Sequence, residues 1–246
     1  MGHPGTRGAM NSSLAVTIPA YDAAESVSEV VRRTLALIPN VLVIDDGSRD
    51  GTALKASEAG AEVLSHPRNL GKGAALRSAF CELFGRGFEA VVTVDADGQH
   101  LPEEIPKLVE RWGQGGDLIL GTRDHLYGDM SGIRRTSNAL SSRAISFCAG
   151  VNIRDCQTGF RLYTRELIAK TGFPEQRFEA ESAVIVRAAR RGLPILTVPV
   201  RLGFVDGLAT SHYRPVADSL RIAAAVARAR FEHPESHFHS DVSPPR

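Results

Sequence analysis

The sequence is poor in cysteine, in net charge and in long apolar runs, and each shortage excludes a class of protein. Its 246 residues contain three Cys, an odd number without a C-x-x-C pair. This pattern argues against a disulfide framework or a zinc site and favours a reducing, cytosolic environment. A formal net charge of +1 gives no support for nucleic-acid binding. No run of about 18 uncharged apolar residues exists, so no membrane-spanning helix is predicted.

The two ends of the chain lack the apolar periodicity of its middle. The first 13 residues contain no apolar core of a signal peptide, and residues 232–246 are polar with scattered Pro. We expect disordered tails at 1–13 and 232–246 around one domain at 14–231. No internal repeat divides that domain.

Short β-branched runs alternate with segments of helical period. Strands are predicted at 14–21, 40–48, 61–67, 90–97, 117–123, 159–164 and 194–200. Helices are predicted at 24–38, 52–60, 73–85, 102–112, 179–191 and 215–231. The strands are nearly continuous apolar runs, as in sheets buried on both faces. The order is typical of an α/β fold, with a Rossmann-like, mostly parallel sheet and helices on both faces.

Polar side chains follow three of these strands. Asp45 and Asp46 end the second strand, Asp95 and Asp97 end the fourth, and Arg123 ends the fifth. Ligands of open α/β sheets bind at the carboxyl ends of the strands. We therefore expect these side chains to share one functional edge.

The stretch V-D-A-D-G-Q-H predicts a metal site. Mg²⁺ is usually held by one or two carboxylates together with substrate phosphates, so a D-x-D at a strand end suggests a cation shared with a diphosphate. An EF-hand loop starting at Asp95 is excluded. Its sixth position would be His100 instead of Gly, and its twelfth would be Pro106 instead of Glu.

Two other phosphate motifs fail at the glycine-rich stretch N-L-G-K-G-A-A. A P-loop requires Gly at position 66 and Ser or Thr after Lys72, where the chain has His66 and Gly73. The dinucleotide pattern G-x-G-x-x-G ends here in Leu76. The stretch still offers a helix start with Lys72 near a phosphate or carboxylate, although a plain structural turn explains it equally well.

Six motifs in this order resemble those of the family 2 glycosyltransferases of the GT-A fold. They are IPAYDAAESV, VLVIDDGSRDGT, NLGKGAALRSAF, VVTVDADGQH, LILGTR and DCQTGFRLY. Within that family they are most similar to the polyprenyl-phosphate sugar transferases, such as the dolichol-phosphate mannose synthases. The similarity spans about residues 14–215. It implies inverting transfer of a hexose from a GDP- or UDP-sugar, with Mg²⁺ or Mn²⁺, to a polyprenyl phosphate.

The resemblance also assigns residues. Its nucleotide-sugar site comprises Pro19, Ala20, Tyr21, Asp45, Asp46, Lys72, Asp95, Ala96, Asp97, His212 and Arg214, with Ser211 beside the last two. Its metal site comprises Asp95, Asp97 and Gln99, and its acceptor-phosphate site comprises Arg123, Arg134 and Arg135. The expected catalytic positions are Asp97, Arg123, Asp155 and Gln157.

The acceptor stays open between two chemistries. A phosphate is already anionic near neutral pH and needs cations, which G-T-R-D and I-R-R-T-S supply. A soluble hydroxyl acceptor instead needs a carboxylate base, and Asp155 and Glu181 are the candidates. A nucleotide-sugar binding protein without turnover is a third, weaker hypothesis, because the D-x-D and the edge arginines are intact.

Two departures from the family pattern concern the substrates. Ala23 stands where related P-A-Y-N-E motifs have Glu, which leaves GDP and UDP equally open. His212 stands where many lipid-phosphate transferases have Lys.

Residues 131–149 and the final helix have apolar and Arg positions that fit either packing on the sheet or contact with a membrane surface. We therefore expect a cytosolic protein, or a peripheral one at the cytoplasmic membrane face.

Overall fold

The computed structural model describes residues 13–123, 142–143, 145–153, 155–203 and 215–232, with side chains of the last segment from Asp218 onward. The strands are β1 (Leu14–Ala20), β2 (Val41–Asp45), β3 (Glu62–Ser65), β4 (Ala90–Thr93), β5 (Leu118–Thr122), β6 (Arg161–Thr164) and β7 (Ile195–Pro199). The helices are α1 (Val27–Leu35), α2 (Thr52–Glu58), α3 (Lys72–Gly85), α4 (Ile105–Gly113), α5 (Arg165–Thr171), α6 (Glu179–Arg190) and α7 (Pro215–Phe231). A 3₁₀ turn at Pro102–Glu104 leads into α4.

The strands form one sheet in the order β3-β2-β1-β4-β6-β5-β7. Strand β6 runs antiparallel to both of its neighbours, β4 and β5, and the other pairings are parallel. The predicted α/β fold with a mostly parallel sheet is thus confirmed. The direction of β6 was not predicted, because a strand buried on both faces has the same apolar pattern in either direction.

Both faces of the sheet are buried, which explains why its strands are apolar without alternation. Val16, Ile18 and Val43 belong to one apolar cluster, together with residues of α1, α2 and α4. Ala15 and Leu42 belong to a second cluster, with residues of α3, α5, α6 and α7. Successive side chains of a strand point to opposite faces, so each strand contributes to both clusters. Full burial of a Leu or Ile side chain contributes roughly 1.5–3 kcal/mol.

Helix α5 is the one described helix that the sequence analysis missed. It follows β6 without an intervening loop, and the Thr164 hydroxyl caps it by accepting the Leu167 N–H at 3.1 Å. The seven-residue helix is too short for a clear helical period. Within the described part of the chain, no helix is both long enough and apolar enough to cross a membrane.

Candidate active site

The carboxyl ends of β2, β1 and β4 lie side by side at one edge of the sheet. Ala20 pairs with Asp45 across β1 and β2. The Val94 N–H donates to the Thr17 carbonyl at 3.0 Å, so the chain stays beside β1 until Asp95. The topology therefore places the ends of β2 and β4 on either side of β1, next to the predicted nucleotide-binding positions Pro19, Ala20 and Tyr21. Strand β5, which Arg123 follows, is separated from β4 by β6.

The loop after β2 holds the loop after β1 in place. The Ala23 N–H donates to the Thr52 hydroxyl at 2.8 Å, and the Ala24 N–H donates to Asp50 Oδ2 at 2.9 Å. Asp45 Oδ1 accepts the Ser48 N–H at 3.1 Å, which closes the intervening turn. Sequence reasoning missed these supports, although the S-R-D-G-T run carried the signal. Short polar side chains of this kind bind backbone N–H groups in turns.

Asp46 supports the glycine-rich loop from behind. It is buried, and its two carboxylate oxygens accept the N–H groups of Leu70 at 2.9 Å and Gly71 at 2.8 Å. His66 Nδ1 lies 2.7 Å from Asp46 Oδ1, and its Nε2 lies 2.9 Å from the Ser78 hydroxyl. Asp46 therefore acts on the predicted pocket through the loop that carries Lys72.

Gly71 is required at the turn that precedes Lys72. Its φ is +100°, a region that L side chains rarely adopt. A Cβ atom there would also lie 2.5 Å from the Gln176 carbonyl oxygen. The close approach of residues 176 and 177 fixes the start of α3, and with it the position of Lys72.

Lys72 connects two carboxylates at the centre of the site. Its Nζ lies 2.7 Å from Asp95 Oδ1 and 3.0 Å from Glu181 Oε2. Burial by itself would lower the pKa of Lys72, but Asp95 and Glu181 outweigh burial and raise that pKa above its usual value. Lys72 is therefore a fixed positive charge at neutral pH.

Asp95 and Asp97 respond in opposite ways to the same surroundings. Burial favours the neutral form of Asp95, but the charge of Lys72 and the nearby His100 hold its pKa well below the usual range. His100 Nδ1 lies 3.4 Å from Asp95 Oδ2. Burial, and then the charge of Asp95, raise the pKa of Asp97. Ionised Asp97 is therefore the carboxylate that gains most from an added cation.

The residues at this edge fit a divalent cation shared with a ligand. Asp97 Oδ1 accepts the Gln99 N–H at 2.9 Å, while the Gln99 side chain is exposed. Among the described residues, no group of three or more His, Cys, Asp or Glu side chains could hold a metal. A carboxylate pair completed by substrate phosphates is nevertheless the usual arrangement for Mg²⁺. The donor set therefore suits a cation that arrives with a diphosphate.

Contacts from three directions fix the D-A-D loop. The Ser26 hydroxyl donates to the Ala96 carbonyl at 2.6 Å, and the Gly203 N–H donates to the Gln99 carbonyl at 2.9 Å. Gly159 approaches so closely that a Cβ atom there would overlap the Asp95 carboxylate. Sequence reasoning did not anticipate that Gly159 is needed for this approach, since the two residues are far apart in the chain.

Asp155 lies behind Arg123. Its side chain is fully buried, with Oδ2 2.9 Å from Arg123 Nε and Oδ1 3.2 Å from Arg123 Nη2. The Arg123 N–H also donates to Oδ2 at 3.1 Å. Asp155 therefore orients the arginine at the end of β5. The half-buried Gln157 follows two residues later.

A buried arginine that the sequence analysis did not select joins this segment to α6. Arg161 donates to the carbonyl oxygens of Thr158 at 2.7 Å, Cys156 at 2.9 Å and Glu181 at 2.5 Å. It thereby ties residues 156–158 to the first turn of α6, whose Glu181 side chain contacts Lys72. Arg134, Arg135, Ser211, His212 and Arg214 lie outside the described residues, so their assignments stay predictions.

The comparison with protein families agrees with this arrangement. The model of glycosyl transferase family 2 matches residues 15–172. The chain belongs to glycosyl transferase family 2. The family accounts for the order of the motifs around Asp45, Lys72, Asp95 and Arg123, and the chain is a glycosyltransferase.

Relatives within family 2 carry more specific names. Glycosyltransferase AglJ of Haloferax volcanii is 32% identical over 232 residues, which cover 93% of this chain and 76% of that protein. Polyprenol monophosphomannose synthase of Mycolicibacterium smegmatis is 31% identical over 203 residues, 75% of each chain. Undecaprenyl-phosphate 4-deoxy-4-formamido-L-arabinose transferase of Pseudomonas fluorescens is 34% identical over 167 residues, 63% of this chain and 48% of that one. The predicted resemblance to polyprenyl-phosphate sugar transferases is confirmed.

The solved structures show the fold of this family 2 chain. Glucosyl-3-phosphoglycerate synthase of Mycobacterium tuberculosis, in complex with Mn²⁺, UDP-glucose and phosphoglyceric acid, matches with a TM-score of 0.71. The match covers 94% of this chain and 84% of that one at 20% identity. The sheet is thus that of the GT-A fold, and the fold predicted from the sequence resemblance is confirmed.

Proposed function

We propose that this glycosyltransferase moves a hexose from a nucleoside diphosphate sugar to a polyprenyl phosphate, with inversion at the anomeric carbon. The observation that carries the proposal is the edge at which Lys72, Asp95 and Asp97 meet, with Arg123 at the end of β5. Two named relatives add support, since one is a polyprenol monophosphomannose synthase and another transfers a sugar to undecaprenyl phosphate.

The donor would lie across β1, β2 and β4. Asp45 and the loop of Ala20 and Tyr21 are assigned to the nucleoside, because they line the edge next to the D-A-D loop. Asp95 and Asp97 would hold Mg²⁺ or Mn²⁺ together with the diphosphate. Structures of the glucosyl-3-phosphoglycerate synthase contain Mn²⁺ or Mg²⁺ with UDP, which supports a divalent cation in this fold.

The geometry favours a phosphate over a hydroxyl acceptor. Asp155 is fully buried and occupied by Arg123. Glu181 is buried, with one oxygen bound to Lys72. Neither candidate base presents an accessible carboxylate, which a hydroxyl acceptor would require. A phosphate needs no base, and Arg123 provides a guanidinium already oriented by Asp155. The soluble hydroxyl acceptor therefore becomes the less favoured alternative.

The reaction is then a single displacement. An acceptor phosphate oxygen attacks the anomeric carbon, a new carbon–oxygen bond forms, and the bond to the donor diphosphate breaks with its electron pair. No proton has to be transferred. A bound divalent cation would neutralise charge developing on the leaving diphosphate. Lys72 keeps Asp95 ionised and in position, while Arg123 offsets the repulsion between the two anionic substrates.

A direct assay tests the proposal. The purified protein is incubated with labelled GDP- and UDP-hexoses and either undecaprenyl phosphate in detergent or a panel of soluble glycans, with and without Mn²⁺. We expect a lipid-linked product that requires both the cation and the lipid phosphate, and none with the Asp97→Asn variant. Transfer to the soluble glycans alone would contradict the proposed acceptor. Product formation with undiminished rate in a chelator would contradict the metal site.

A further inference from the structure

Helix α7 is apolar on two opposite sides. Its inner side joins the second core cluster through Ile222, Ala225, Val226 and Ala229. Its outer side is exposed yet also apolar, and consists of Leu220, Ala223, Ala224, Ala227 and Phe231. Leu220 is 67% exposed and Phe231 is 84% exposed. A helix that only covers a core carries polar residues on its outer side, so this apolar side points to another partner.

Arginines border the outer apolar side along both edges. With 3.6 residues per turn, the five apolar positions form a stripe about 100° wide. Arg221 and Arg228 follow one edge of this stripe and Arg230 follows the other. Arg221 also pairs with Asp218 at 2.9 Å, and Asp218 is buried. From residue 218 to Phe231, the exposed charges of α7 are therefore positive, and the partner must be apolar at the centre and anionic at its margins.

A second copy of the chain fits this description poorly. A symmetric contact between two α7 stripes would bring arginine edges close together, without an exposed carboxylate on α7 to pair with them. The three alanines of the stripe, Ala223, Ala224 and Ala227, also make it shallow, with little to fill a pocket. An anionic lipid surface fits better, because acyl chains accept a shallow apolar stripe and headgroups accept arginines at its edges.

We propose that the outer side of α7 is a membrane-contact surface that binds bilayers containing anionic lipids. A second exposed aromatic lies on the same side of the sheet: Phe147 is 89% exposed, and its neighbours Ile145 and Ala149 belong to the same core cluster as Ile222. The inference goes beyond the proposed sugar transfer, because this surface binds lipid whether or not an acceptor is present. It would keep the enzyme at the layer where a lipid acceptor resides.

Vesicle flotation of the full chain tests the surface. The protein is mixed with vesicles of phosphatidylcholine alone or with added phosphatidylglycerol, and bound protein is measured. We expect preferential binding to the anionic vesicles and at least tenfold weaker binding for the Leu220→Gln/Phe231→Gln double variant. The matched control is Leu54→Gln, an exposed leucine of α2 on the opposite side of the sheet, which should bind like the unaltered protein.

Charge variants separate the two contributions. Arg228→Gln/Arg230→Gln should weaken binding to anionic vesicles, roughly fivefold for each arginine at low salt, and leave weak binding to neutral vesicles unchanged. Circular dichroism and melting temperature establish that each variant is folded. Equal vesicle binding by the double apolar variant and the unaltered chain would overturn the proposal. An equal loss of vesicle binding in the Leu54→Gln control would also overturn the proposal.

Light scattering tests the other possible occupant of the stripe, a second copy of the chain. If light scattering shows a dimer that the Leu220→Gln/Phe231→Gln variant converts to a monomer, without a change in vesicle binding, the stripe joins two copies and the proposal is wrong. Sugar transfer to undecaprenyl phosphate in detergent should be equal for the variant and the unaltered chain. The outcome at α7 is therefore distinguishable from the outcome for the proposed function.

Discussion

The Lys72 ammonium lies 2.7 Å from Asp95, so the first carboxylate of the D-A-D loop already has a cationic partner within the protein. The same ammonium is 3.0 Å from Glu181. The second carboxylate, Asp97, has a raised pKa and accepts a backbone N–H at 2.9 Å. The two aspartates are therefore unequal: Asp95 is neutralised within the protein by Lys72, and Asp97 is the carboxylate that an external cation would stabilise more.

Replacing Lys72 by Met should disable the site and weaken the fold. Asp95 has a lowered pKa, so its stabilising contribution is present above its unfolded-state pKa and is lost as pH falls through the folded value. Without Lys72, burial raises the pKa of Asp95, and the stabilising contribution of the Asp95 carboxylate is lost at neutral pH. We expect kcat/KM to fall about 100-fold or more, with a lower melting temperature. Kinetics and thermal melts between pH 5 and 8 measure both effects.

The control for this variant is Lys170→Met. Lys170 is exposed and pairs only locally with Glu166 at 2.5 Å. Its removal should change the melting temperature little and leave activity unchanged, because an exposed ion pair contributes little to stability. If Lys72→Met retained the activity of Lys170→Met, the ion pair with Asp95 would have no functional role.

Replacing Asp97 by Asn should raise stability while removing cation binding. A carboxyl group whose pKa is raised by folding destabilises the fold once pH exceeds its unfolded value, and the penalty is complete above the folded value. Asn carries no such penalty, so the melting temperature should rise at pH 7 and match the unaltered protein at low pH. Calorimetry with Mn²⁺ and nucleotide should show no cation-dependent binding in the variant. A lower melting temperature at pH 7 would contradict the account of Asp97.

Local sequence patterns predicted which residues follow the strands at the candidate site, but not the long-range contacts that hold those residues in place. Asp45, Asp95 and Arg123 could be placed together because parallel strands end at one edge of the sheet. The contacts of Arg161 with Thr158 and Glu181 join residues up to 20 positions apart, and no local period records such pairs. For the same reason the direction of β6 and the close approach of Gly159 to Asp95 emerged only from the structure.

Replacing Asp155 by Asn tests whether this residue is a base or a support for Arg123. In the structure both carboxylate oxygens of Asp155 contact Arg123. If Arg123 receives the acceptor phosphate as proposed, Asn should raise the KM for that phosphate more than it lowers kcat. The variant should keep measurable transfer, and stability should fall by about 1–3 kcal/mol because a buried charged pair loses one partner. Complete loss of kcat, together with loss of a titration step in its pH profile, would instead identify Asp155 as a general base.

Replacing Gly159 by Ala should displace the Asp95 carboxylate by steric overlap alone. Only a methyl group is added, yet a Cβ atom at this position would collide with Asp95, which Lys72 already fixes. We expect at least a 100-fold loss of kcat/KM and weaker Mn²⁺-dependent nucleotide binding by calorimetry. The matched control is Gly85→Ala in the last turn of α3, where no heavy atom lies within 4 Å of the added Cβ. Alanine has the higher helix propensity, so Gly85→Ala should be neutral or slightly stabilising and fully active. If both variants kept full activity, the close packing of Gly159 against Asp95 would have no part in catalysis.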